Sequence, residues 1–221
     1  MSYKRIVMLF VTFMLSIGLA FSVYAQKQPF PEDWAQDAGP EPEEVPEVDE
    51  RGAVNVALLS NTSPNASSVI PGYEDRHSIE FLNDGWYNNP RSWITGENPP
   101  VWVEIDLGSV YMVDKVVFGS EHTPHWEDRA IEEFSVLVAT EYNADSNAET
   151  WTEVFNYAGD PVRDTTPFTF DPADARWVRI DILAGDGCRI DELEIYAVPD
   201  ATAVDKTDKM ATIWGKIKIG K

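Results

Sequence analysis

The sequence predicts an all-β chain: an antiparallel β-sandwich of jelly-roll type, carried between two tails. Three observations lead there. The 144 residues from Val54 to Ala197 hold short runs of β-branched and aromatic residues, each closed by Gly, Pro, Asn or Asp. Within the runs, apolar and polar residues alternate with a period of two, as in strands packed on one face and solvated on the other. No stretch of this region repeats apolar residues at the spacing of an amphipathic helix. Several such strands in so short a span indicate two sheets packed face to face.

The elements follow in chain order. Lys4 and Arg5 precede an apolar run from Ile6 to Phe21, and Val23-Tyr24-Ala25 places small residues where a signal peptidase reads them. Residues 1–25 are therefore expected to be an export signal cleaved near Ala25, giving a secreted or extracytoplasmic chain. The alternative is an uncleaved membrane anchor, because Ile6 to Ala25 is about the 20 residues that cross a bilayer. Residues 26–53 are expected to be a linker: nine acidic residues and four prolines fall between Pro31 and Arg51, and self-repulsion with proline stiffness keeps such a segment extended and unpacked.

The body spans 54–197. Val101, Val103, Ile105 and Leu107 alternate with Trp102, Glu104 and Asp106, which marks a strand with one apolar face. Lys115 to Phe118 and Phe134 to Ala139 follow as strands. In the next, Val178, Ile180 and Ile182 face one way and Arg179 and Asp181 the other. Leu193 to Tyr196 closes the domain. Residues 198–221 are expected to be a C-terminal tail whose last part, Met210 to Lys221, is basic and apolar.

Composition excludes several roles. The 221 residues carry 17 Lys and Arg against 38 Asp and Glu, a net charge of -21. A phosphate backbone is repelled by such a surface, so no nucleic-acid partner is expected, and anionic lipid is disfavoured for the same reason. The single cysteine, Cys188, forms no internal disulfide; behind Gly185-Asp186-Gly187 it is expected to fill space as a small apolar group. The sequence contains no Gly-x-Ser-x-Gly elbow, phosphate-binding glycine loop or His-Glu-x-x-His helix. No enzyme is expected.

Seven pieces of the body, in order, carry a resemblance. They are Leu82-Asn83-Asp84-Gly85 with Ser92-Trp93; Trp102 to Gly108; Val113 to Val117; Asp128-Arg129 before Phe134-Ser135-Val136; Trp151 to Val154; Ala175 to Ile180; and Ile190 to Tyr196. Together they resemble the coagulation factor V/VIII type C domain, or discoidin domain, of the galactose-binding-like jelly rolls that include family 32 carbohydrate-binding modules. The resemblance implies a secreted, non-catalytic binding module that recognises carbohydrate or glycoprotein through loops at one end of the sandwich. Two alternatives stay open: an adhesion domain that binds extracellular protein or matrix with the same loops, and an ancillary targeting module for a separate enzyme.

The resemblance also implies a structural Ca²⁺ held by Asp84 and Glu192. Calcium takes roughly 6–8 oxygens, and a glycine turn can aim carbonyls inward while carboxylates neutralise the ion. The sequence departs at Trp86, where relatives often carry a second Asp, so Asn88 and nearby carbonyls have to complete the shell. For the ligand, two loops hold suitable groups. Trp86 or Trp126 can lie under the apolar face of a sugar ring, with Asn88, His122, Glu127 and Arg129 gripping its hydroxyls. His77 receives no functional role. Trp93, Trp102, Trp151 and Trp177 adjoin strands and are expected to be structural.

Overall fold

The structure, a computed structural model, describes residues 43–88, 90–120, 129–144 and 150–198. Its strands are β1 (Glu43–Glu44), β2 (Ser63–Ala66), β3 (Trp86–Tyr87), β4 (Trp93–Ile94), β5 (Val101–Gly119), β6 (Ile131–Ala139), β7 (Thr152–Val162), β8 (Thr166–Gly185), β9 (Arg189–Ile190) and β10 (Glu192–Ala197). Two 3-10 turns, Val56–Leu58 and Ile79–Phe81, are the helical elements among the described residues. Every strand pairing is antiparallel, as the alternation requires. The main sheet runs β10-β5-β8-β6-β7, with β2 added along the first half of β5.

Two expected strands prove to be one. The runs 101–107 and 115–118 form a single β5, which pairs with β8 along both halves and shifts register between Asp106 and Tyr111. Gly108 sits at that shift with φ of 71°, and a Cβ there would lie 2.2 Å from the Asn61 amide, which itself donates to the Leu107 carbonyl. Only glycine fits such a bend. The shift lets the two halves of one long ribbon cover a single core. Val103, Ile105, Val113, Val116, Phe118 and Val178 all belong to it. Rings of Phe118, Phe134, Phe155, Tyr157 and Phe168 pack at its centre, with Phe134 and Phe168 edge to face at 4.9 Å.

The outer face of the sheet is held differently. Arg179 is fully buried there, its guanidinium 4.4 Å from the Trp102 ring and 4.7 Å from Trp151, and it donates twice to Glu104 Oε2. Trp102 and Trp151 thus serve packing, as does Trp93, which is fully buried and donates its indole N–H to the Ser68 carbonyl.

The linker expectation fails for residues 43–53. From Glu43 the chain is already paired, β1 lying against β3, and Val45 and Ala53 are fully buried. Self-repulsion is overcome by specific partners: Asp49 receives Lys115 and Arg51, and Arg51 bridges on to Asp114. At the other end Val198 donates to the Met112 carbonyl. The expected export signal, the first part of the linker and the rest of the C-terminal tail lie outside the described residues.

Candidate functional site

Three loops meet at one end of the sandwich around a cleft of about 490 Å³ lined by Thr95, Gly96, Glu97, Asn98, Arg129, Asp186 and Gly187. Backbone hydrogen bonds set its shape. Thr95 donates to the Cys188 carbonyl, Asp186 to the Ala130 carbonyl, and Arg189 to the Arg129 carbonyl. Gly187 makes the turn at φ of 61°, a conformation that strains side-chain-bearing residues. The cleft is polar: a guanidinium, a carboxamide and two carboxylates converge on it, and these groups can bind neutral hydroxyls in both directions.

Of the residues expected to bind ligand, Arg129 is half-buried and lines this cleft. His122, Trp126 and Glu127 lie outside the described residues, in the segment 121–128 that runs directly into Arg129. Trp86 and Asn88 are elsewhere. Trp86 is half-buried and paired with Glu44 of β1, a contact that an unpacked linker over residues 26–53 does not foresee. Asn88 was expected to grip ligand, but it is only 1% exposed, inside the turn where Arg91 donates to its carbonyl. It is too buried for that role.

Sequence reasoning missed Thr95, Glu97, Asn98 and Asp186. The turn-forming runs Thr95-Gly-Glu-Asn-Pro-Pro and Gly185-Asp-Gly mark two surface loops. Nothing in either run says that they meet. His77, given no role, is close to this end: its Nδ1 lies 2.9 Å from Ser92 Oγ, and burial, with Arg189 and Arg129 nearby, pushes its ring down to about 4. Burial likewise raises the Cys188 thiol to about 11, which keeps it protonated and unreactive.

Asp84 and Glu192 do come together, but not as a calcium cage. Both Glu192 oxygens already accept backbone N–H groups, from Asp84 and Gly85. Asp84 accepts the Trp86 N–H on one oxygen and Arg91 Nε, at 2.5 Å, on the other. Burial, then each other's charge for Glu192, pushes the carboxyls above the usual range, with Arg91 pulling Asp84 back. A guanidinium in contact repels a dication from the same carboxylate. Among the described residues no third His, Cys, Asp or Glu joins a metal-holding group. The residues present do not fit the ion.

Comparison with known proteins agrees with the architecture. No curated protein sequence matches the chain. Among solved structures it is similar to CpGH89CBM32-5 from Clostridium perfringens, in complex with GalNAc-β-1,3-galactose, at 20% identity and a TM-score of 0.53, over 66% of this chain and 99% of that one. It is also similar to the family 32 carbohydrate-binding module of Clostridium perfringens NanJ, in complex with galactose, at 17% identity and a TM-score of 0.48, over 65% of this chain and 97% of that one. The profile of the F5/8 type C domain matches residues 63–193, from β2 into β10. With the antiparallel pairing, the loop-lined end and the Asp84–Gly85 turn tied to Glu192 all inside that span, the chain belongs to the F5/8 type C domain family.

Proposed function

We propose that this protein is an exported, non-catalytic carbohydrate-binding module and that its ligand seats in the cleft around Arg129. The observation that carries this reading is the convergence of Arg129, Asn98, Glu97 and Asp186 on one cleft; in sequence, Arg129 directly follows the run that holds His122, Trp126 and Glu127. Sugar recognition needs planar donors and acceptors for hydroxyls together with an apolar surface for the ring. The cleft lining supplies the first, and Trp126 is the residue suited to supply the second. The galactosaminide-bearing disaccharide bound by the Clostridium perfringens module supports glycans as the class to test first.

The purified protein applied to a glycan array tests the reading. Selective retention on a group of related glycans is the expected result. An empty array alongside firm binding to extracellular matrix protein would replace carbohydrate with protein adhesion.

A further inference from the structure

Two carboxylates meet in the floor of the loop end, from residues 108 positions apart. Glu192 is 0% exposed and Asp84 6%. Two buried negative charges side by side are costly unless a cation or a set of N–H groups answers them. The expected answer was a calcium ion. The structure offers another.

Arg91 folds back seven residues to place Nε 2.5 Å from Asp84 Oδ2, with only 5% of its side chain and 4% of Asp84's exposed. Its guanidinium also lies 5.2 Å from the Phe81 ring centroid, a cation–π contact that fixes its place. Glu192 meanwhile anchors the turn itself by accepting the amides of Asp84 and Gly85, the latter at φ of 91°. Each job that an ion performs in such a loop therefore has a protein group assigned to it. Charge is met by Arg91, and the closure of chain start onto chain end by Glu192. The side chain at 86, where a further acidic ligand would be useful to an ion, is an indole.

We propose that Arg91 takes the place of a divalent cation in this domain, so that the Asp84–Gly85 turn is braced against Glu192 by an internal ion pair and the domain folds without calcium. This brace belongs to the scaffold, whether or not the ligand is a carbohydrate.

Thermal unfolding of the purified protein in excess calcium chloride and in excess EDTA, with R91A and R91K alongside, tests it. The wild-type midpoint is expected to be the same in both solutions. R91A leaves Asp84 buried without its cation and is expected to melt roughly 10 °C lower in EDTA. R91K keeps a charge without the planar fork, so its midpoint is expected between the two. A wild-type midpoint that falls in EDTA overturns the proposal, as does R91A melting like wild type. Should R91A fail to accumulate, the wild-type comparison and R91K decide the matter, an R91K midpoint equal to wild type counting against the proposal.

Discussion

Lys115 reaches back 66 residues to place its ammonium 2.5 Å from the Asp49 carboxylate, both side chains almost wholly buried. The Tyr196 ring also lies 4.0 Å from the ammonium. Through this contact an acidic segment that its own charges would drive into solvent becomes part of the domain.

Burial alone raises the Asp49 carboxyl, but hydrogen bonds from Lys115, the Ala53 amide and Arg51 outweigh it and hold the group well below the usual carboxylate range. A depressed folded-state value means that the contribution is complete above pH about 4 and is lost as the carboxylate is protonated in stronger acid. Asp49→Asn should cost about 3 kcal/mol, because it leaves Lys115 charged and buried. Hydrogen exchange at residues 43–53 should quicken in the mutant at neutral pH. Unchanged exchange there would show that the ion pair does not hold the segment.

Arg129→Ala should weaken glycan retention about tenfold or more, the size of losing a charge-assisted hydrogen bond. Its melting temperature should stay near wild type, since the backbone carbonyl that receives the Arg189 amide is untouched. Surface plasmon resonance on a glycan found by the array, with the melt as control, separates the two effects. Equal affinity would move the ligand away from the cleft.

Arg179→Met should destabilise the domain by about 3–5 kcal/mol, because Glu104 is then buried without its cation, keeping the Asn65 amide as a donor. Adding Glu104→Gln removes that charge and should restore part of the loss. Urea denaturation of the two single mutants and the double mutant gives the coupling directly. Simple additivity would show that the pair contributes packing alone.

The ring of His77, depressed to about 4 from 6.5, should stay neutral at pH 5 to 6, where a free imidazole is largely charged. The sign follows: the unfolded chain takes up the proton first, so stability falls as pH drops from 6.5 towards 4. NMR titration of the ring carbon resonances checks it, and a midpoint near 6.5 would contradict the burial argument.

Much of the scaffold is legible in the sequence. The alternation in Val101-Trp-Val-Glu-Ile-Asp-Leu107 names the buried face of β5 correctly, because side-chain direction in a strand follows from the backbone alone. What escaped was the continuity of β5, since Gly108 reads as a strand end but serves as a bend. The candidate site was less legible. Arg129 stands in a loop that the sequence marks by its polar and aromatic groups, whereas Glu97, Asn98 and Asp186 carry no local mark and become neighbours only when the 95–98 and 185–187 loops are brought together.

The sequence by itself determined the class of fold and the apolar face of the strands at 101–107 and 178–182, because period-two patterning is a local property of extended chain. Tertiary structure alone decided how buried charge is answered. That Asp49 meets Lys115, Glu104 meets Arg179 and Asp84 meets Arg91 depends on closing loops of 66, 75 and 7 residues in one geometry, and composition records the charges without their distances. The acidic segment at 43–53 shows the difference most directly: its charges predict solvation, and its partners, far along the chain, give it a place in the fold.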